Sequence, residues 1–253
     1  MAKARSMKIS IKILENRNQL AMEAATIIHD KARSPKRGGS FFWCLSGGGT
    51  PLKTYSHLTN SPFSKTMPWE RFRIFWGDER LVHPSQPESN FGQAQNALLQ
   101  KAHLSKAHMH PMPTDSDNPA INAQKYEKTL RQFWPDTDPK WDIAMLGLGV
   151  DGHTASLFAN SPALNSIKLV ENVEPPFSTT PFLPRLTLTP KAFSRAGCIL
   201  FLVTGPAKAR AVAQTLALCR AQKTSRDWPA SFITTNGEVI WLLDQAAAAE
   251  LSK

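Results

Sequence analysis

Cysteine is scarce in this chain of 253 residues: Cys44, Cys198 and Cys219 are odd in number, far apart, and form no C-x-x-C pair. That spacing argues against a disulfide framework and a zinc site, and it suits a reducing, cytoplasmic compartment. Long apolar runs are lacking too. The strongest, residues 198–203, has the length of a strand, well short of the roughly 18 residues a membrane span requires. The basic start at residues 1–8 leads into a segment broken by Ser10 and Lys12 and followed by Glu15 and Arg17, which is not the apolar core of a signal peptide. There is no internal repeat, and the 19 prolines are scattered without a period, so collagen-like and low-complexity readings fail. With 42% hydrophobic and 20% charged residues, the chain has material for a sizeable core, and residues 1–253 read as one domain.

Acidic residues are outnumbered: 20 Asp and Glu against 30 Lys and Arg leave a formal charge of +10. Such an excess favours anionic partners, whether nucleic acid, an acidic surface or a small phosphorylated molecule. The basic residues are spread out, with Lys3, Arg5 and Lys8 at the start and Lys31, Arg33, Lys36 and Arg37 before the first glycine cluster. No helix carries a basic face interleaved with aromatics, so neither nucleic acid nor membrane is expected as a partner.

Apolar spacing predicts alternating strands and helices. Strands are expected at residues 7–14, 41–45, 72–76, 143–146, 199–203 and 239–243, and helices at 19–32, 91–102, 123–133 and 207–221. The pairs Thr50-Pro51, Asn118-Pro119, Thr189-Pro190 and Gly205-Pro206 each place a cap-type residue before a proline, as helix starts do. The fold class that follows is α/β: a doubly wound, mostly parallel sheet with helices on both faces, in three Rossmann-like layers. Ligands of such sheets sit at the carboxyl ends of strands, so chemistry is sought in the loops there.

Three such loops stand out. Ser46-Gly47-Gly48-Gly49-Thr50, between a strand and Pro51, lets the backbone approach a ligand closely and ends on helix N–H groups suited to phosphate. It is neither a Walker A loop nor a nucleophile elbow. Gly147-Leu148-Gly149-Val150-Asp151-Gly152-His153 matches G-x-G-x-x-G, with Glu171 downstream. However, Asp151 would repel a pyrophosphate, and Pro162 follows too soon for a dinucleotide-binding helix. The loop instead presents His153, a group able to move protons near neutral pH, beside Asp151. The third loop, Gly77-Asp78-Glu79-Arg80, suggests an ion-pair network holding an arginine toward a cleft, where its planar fork suits phosphate. Arg185 and Lys208 are further candidate cations. The His108-Met109-His110 run reads as strand or surface, not as a metal pair.

Taken together these stretches resemble the 6-phosphogluconolactonase family, within the glucosamine/galactosamine-6-phosphate isomerase superfamily. The resemblance rests on the S-G-G-G-T-P loop, D-E-R with Ser89-Asn90 ten residues on, and G-x-G-x-D-G-H-T-A-S-L-F. Further toward the end come R-L-T-L-T from Arg185, G-x-x-K ending at Lys208, and W-x-L-D-x-x-A from Trp241 to Ala247. Two departures are Ala159, where the family usually has proline, and Gly49, which replaces a frequent serine. What the resemblance implies is hydrolysis of 6-phospho-D-glucono-1,5-lactone to 6-phosphogluconate in the oxidative pentose phosphate pathway. No cofactor or metal would be needed, and the assembly would be a monomer or homodimer. His153 would act as general base, oriented by Asp151. The substrate would be held by Ser46, Gly47, Gly48, Gly49, Thr50, Asp78, Arg80, Asn90, Arg185 and Lys208. Two rivals remain. A related glucosamine-6-phosphate deaminase would need a glutamate five residues past the histidine, where this chain has Phe158. A sugar-phosphate sensor would need a DNA-binding module, for which the residues before Phe41 leave no room.

Overall fold

The structure, a computed structural model, describes residues 8–34 and 39–251; Met7 of the first expected strand and the basic residues Lys3, Arg5, Lys36 and Arg37 lie outside the described residues. Seven strands form a parallel sheet: β1 (Lys8–Leu14), β2 (Phe41–Leu45), β3 (Phe72–Trp76), β5 (Met109–His110), β6 (Ile143–Leu146), β9 (Cys198–Val203) and β10 (Glu238–Asp244). Their order is β1-β10-β9-β6-β2-β3-β5. Each apolar run read as a strand is a strand, within one residue at either end. Every residue of β6 and β9 is buried, so both faces of the sheet are covered at its centre, whereas the edge strand β1 keeps exposed positions.

Sequence order and spatial order together set the site. From β2 the chain winds outward through β3 to β5, then returns to β6 on the other side of β2 and winds the opposite way through β9 to β10. The order therefore reverses between β2 and β6, which pair directly through Trp43–Ile143 and Cys44–Ala144. Loops leaving these two strands diverge, and a crevice opens between them at the carboxyl edge. The helices are α1 (Arg17–Arg33), α2 (Gly49–Leu58), α3 (Asn90–Ala94), α4 (Pro119–Phe133), α5 (Pro190–Phe193) and α6 (Ala209–Arg220). Asn16 caps α1 by accepting from the N–H groups of Asn18 and Gln19, as its short amide side chain allows.

Three expectations need correction. The expected strands left out a second, antiparallel sheet of β4 (Asp78–Arg80), β8 (Arg185–Leu188) and β7 (Val170–Val173). These strands have only three or four residues, too short for an alternation signal to emerge. The helix expected over 91–102 is α3 followed by a wider π turn at Gln95–Leu99. Finally, α2 begins two residues early: its cap is Gly48, at φ +96°, and not Thr50. The hydroxyl of Thr50 pairs instead with that of Thr204, at 3.1 Å.

The core is one contiguous apolar cluster joining both sheets. Trp241 stacks on Phe201 across β9 and β10, with centroids 4.0 Å apart. At the other end of the sheet His110 stacks on Phe75 at 4.6 Å and meets the edge of Phe133. There burial first, then the charges of Arg73 and His108, push the His110 imidazole down to about 4. Below an ordinary histidine value of 6.5 the unfolded chain therefore binds a proton that the folded one refuses, until about pH 4. Over that window stability falls as pH falls. In urea titrations at pH 7 and pH 5 the wild type should lose more stability on acidification than His110→Gln; equal losses would assign the acid sensitivity elsewhere.

Candidate active site

Four loops at the carboxyl edge of the sheet converge on a cleft of about 270 Å³. The loop after β2 supplies Ser46, Gly47, Gly48, Gly49 and Thr50, and the loop after β6 supplies Gly147, Leu148, Gly149 and His153. Asp78, Arg80 and Asn90 enter from β4 and the start of α3, Arg185 from β8, and Lys208 from the turn after β9. Every site residue expected from the sequence thus lines this cleft except Asp151, which touches it through His153.

The first loop is shaped by need. The N–H groups of Gly49 and Thr50 open α2 and have no partners within the helix, and no side chain caps them. At Gly47 a Cβ would overlap Asn90 Oδ1, so any larger residue would displace Asn90. The loop's base is fastened by Tyr55, whose hydroxyl donates to Ser46 O (2.7 Å) and accepts from Ser46 N–H (3.2 Å). Tyr126 does the same at the end of the neighbouring strand, donating to Trp76 O and accepting from Trp76 N–H. The chain's only two tyrosines therefore anchor adjacent strand ends, a role with no local sequence signal. Asp244 fastens the turn after β9: both its oxygens accept from Gly205 N–H at 3.0 Å, and Oδ1 also accepts from Ala247 N–H. The D-x-x-A part of the terminal motif is thereby explained as a loop tie.

In the loop after β6, His153 Nδ1 lies 2.6 Å from Asp151 Oδ1. Asp151 also accepts from the His153 backbone N–H at 3.3 Å. Burial would raise the Asp151 carboxyl, but the hydrogen bond and charge of His153, with backbone N–H groups, outweigh it and hold the group below its ordinary value. With Nδ1 occupied by a carboxylate, Nε2 is the nitrogen free to accept a proton. The loop cannot tolerate bulk, because a Cβ on Gly149 would overlap both His153 Nδ1 and Asp151 Oδ1. No helix follows; Thr154 and Leu157 form an isolated bridge, then the chain turns at Pro162–Asn165. The dinucleotide reading of G-x-G-x-x-G therefore lacks its helix.

The D-E-R stretch departs from the expected ion-pair network. Among the described residues, no carboxylate lies within 4.0 Å of the cationic nitrogens of Arg80 or Arg185. Glu79 is 1% exposed and accepts instead from the backbone N–H groups of Arg80, Asn90 and Phe91, each at 2.7 Å, and from Ser89 Oγ. It thus pairs the first N–H groups of α3, whose N-cap is Ser89. Burial raises its carboxyl, and those three N–H groups oppose the rise. Asp78 accepts from Ser156 Oγ (2.7 Å) and Asn90 Nδ2 (3.2 Å). Arg80 donates to Glu88 O and Arg185 to Pro181 O, but the Nε of each arginine and Asn90 Oδ1 are buried without partners. Burial lowers both the Arg185 guanidinium, against the pull of Asp78, and the Lys208 ammonium, against the pull of Asp151. Cations buried this way, without a carboxylate in direct contact, would be stabilised by an anion in the cleft.

Phe158, missed as a functional residue, joins the two halves of the site. It is 2% exposed, with its ring 5.0 Å from that of His153 and 5.6 Å from the Arg185 guanidinium carbon. Among the described residues no three His, Cys, Asp or Glu side chains gather as a metal site, and no helix is long and apolar enough to cross a membrane.

Replacing Glu79 with Ala should leave three buried N–H groups unpaired and cost about 2–3 kcal/mol of stability. Urea denaturation checks this, and Glu79→Gln, which keeps one acceptor oxygen, should cost less.

Comparison with known proteins gives a consistent answer. A 6-phosphogluconolactonase of Nostoc sp. is 35% identical over 250 residues, covering 97% of this chain and 100% of that one. One of Synechocystis sp. is 40% identical over 210 residues, covering 82% and 83%. Among solved structures, a 6-phosphogluconolactonase from Thermotoga maritima superposes with a TM-score of 0.81 at 29% identity, covering 94% of this chain and 100% of that one. A monomeric glucosamine-6-phosphate deaminase at 21% identity and a TM-score of 0.80, covering 96% and 100%, shares the fold. The family model for glucosamine-6-phosphate isomerases/6-phosphogluconolactonase matches residues 15–241, and the chain belongs to that family.

Proposed function

We propose that this protein hydrolyses 6-phospho-D-glucono-1,5-lactone to 6-phosphogluconate, without a metal, using His153 as general base. The observation that carries the reading is the Asp151–His153 pair facing the same cleft as Arg185, Lys208 and the open end of α2. Relatives covering nearly the whole chain are named for this activity.

The division of labour follows from charge. A sugar 6-phosphate carries close to two negative charges at neutral pH, by analogy with phosphorylated side chains. The N–H groups of Gly49 and Thr50, with Lys208 and Arg185, supply donors and positive potential for it. Anchoring that end fixes where the lactone carbonyl lies. A water attacks C1 while His153 Nε2 takes its proton, and Asp151 stabilises the imidazolium through Nδ1–H. The tetrahedral intermediate collapses with cleavage of the C1–O5 bond, and the imidazolium returns the proton to O5. Atoms balance as lactone plus water to hydroxy acid, with no covalent enzyme intermediate. Asp78 and Asn90, tied to each other and to Ser156, are placed to bond the sugar hydroxyls.

The deaminase alternative needs a second carboxylate five residues past His153, where Phe158 is instead packed against the imidazole. Ammonia release from glucosamine 6-phosphate is therefore expected to be nil.

A pH-stat assay with freshly prepared lactone, corrected for spontaneous opening, tests the reading. His153→Ala should lower kcat by ~10²- to 10⁴-fold while leaving the fold intact by circular dichroism. Full turnover in the folded variant would remove His153 from the chemistry. Asp151→Asn should lower kcat by roughly tenfold or more, because the amide no longer stabilises the imidazolium.

A further inference from the structure

Arg17 was singled out by no motif. It opens α1 directly after its Asn16 cap, and its side chain is exposed. The guanidinium lies against Gly49, the first residue of α2: a Cβ on Gly49 would overlap Arg17 Nη2 and sit 3.1 Å from Cζ and 3.6 Å from Nη1. The two helices pack side by side with their N-termini at the same edge of the sheet. Arg17 thus stands at the positive ends of two helices at once, its own and α2.

That placement is electrostatically unfavourable on its own. A helix N-terminus carries partial positive charge and favours anions, so a cation there is repelled. Nothing nearby relieves the repulsion. The first turns of α1 and α2 contain no acidic residue, Glu15 is engaged with Gln19, and among the described residues no carboxylate pairs with Arg17. Gly48 and Gly49 are both exposed, and Gly49 lines the cleft. An anion seated on the Gly49 and Thr50 N–H groups would meet both helix ends and the guanidinium, turning three mutual repulsions into attractions.

We infer that Arg17 is a specificity-determining residue that clasps the substrate's phosphate from the solvent side, in space available only because residue 49 is glycine. Any larger residue at position 49 would displace the guanidinium. The site therefore has cations on both flanks of the α2 terminus, Lys208 and Arg185 from within and Arg17 from without. The inference rests on the lactonase reading for the identity of the phosphate's carrier. The electrostatic argument itself requires only a phosphate monoester.

The test compares hydrolysis of 6-phosphogluconolactone and of unphosphorylated glucono-1,5-lactone by the wild type, Arg17→Gln, Arg17→Lys and Gly49→Ala. Arg17→Gln should raise KM for the phosphorylated lactone by ~10-fold, the loss of one charge-assisted contact, with kcat within about twofold. Its kinetics on the unphosphorylated lactone should not move. Arg17→Lys should recover part of the loss. Gly49→Ala should raise KM in the wild-type background and add little in an Arg17→Gln background, as coupled residues do. If the wild type turns over the phosphorylated lactone, an unchanged KM in Arg17→Gln would overturn the inference and spare the lactonase reading. A wild type without lactonase activity would overturn that reading. Titration calorimetry with inorganic phosphate would then decide on Arg17, equal affinity of the wild type and Arg17→Gln refuting it and at least several-fold weaker binding by the variant supporting it.

Discussion

The reversal of strand order between β2 and β6 is the constraint from which the site follows. Parallel strands place all their carboxyl ends on one edge, and only where the winding direction changes do adjacent loops move apart. Because Cys44 and Ala144 pair directly, the glycine loop after β2 and the Asp-His loop after β6 start as neighbours and end on opposite walls of the cleft. A ligand bridging them would meet backbone N–H groups at one wall and an imidazole at the other. The remaining apparatus fastens these loops: Tyr55 and Tyr126 at adjacent strand ends, Asp244 beneath the turn to Lys208, and Glu79 beneath Asn90.

The electrostatics of the cleft suit an anion. Its carboxylates are committed elsewhere: Glu79 to three N–H groups, Asp78 to Ser156 and Asn90, and Asp151 to His153. Direct ion pairs would have neutralised Arg80 and Arg185. The hydrogen-bonded arrangement keeps each carboxylate close enough to make burial of the cations tolerable while leaving their inward-facing donors free. Among the described lysines and arginines Arg185 alone is buried, and Arg80, Arg185 and Lys208 line the cleft.

Much of this was legible from local pattern. Strands β2 and β6 are continuous apolar runs, and β3 is one broken only by Arg73; strands buried on both faces produce that signal. The loops were legible because glycine clusters at strand ends have few other uses. What escaped is what depends on distant partners. The second sheet is made of short strands, one of which, β4, is the polar D-E-R itself. Glu79 looked like half of an ion pair because sequence places it beside Arg80, but the fold points its carboxylate at the start of α3. Phe158 looked merely apolar, and its position between His153 and Arg185 emerges only once residues 153–158 curl back on themselves.

Residue order alone determined the alternation of strands and helices and the three loops where chemistry could reside, since period, turn residues and helix starts are local properties. Tertiary structure alone decided which groups meet. It turned Asp151 onto Nδ1 of His153, set Arg17 over Gly49 from a helix more than thirty residues earlier, and left Arg80 and Arg185 without carboxylate partners. Those encounters depend on how two windings of one sheet pack at their shared edge, and the forces that bring them about act across space rather than along the chain.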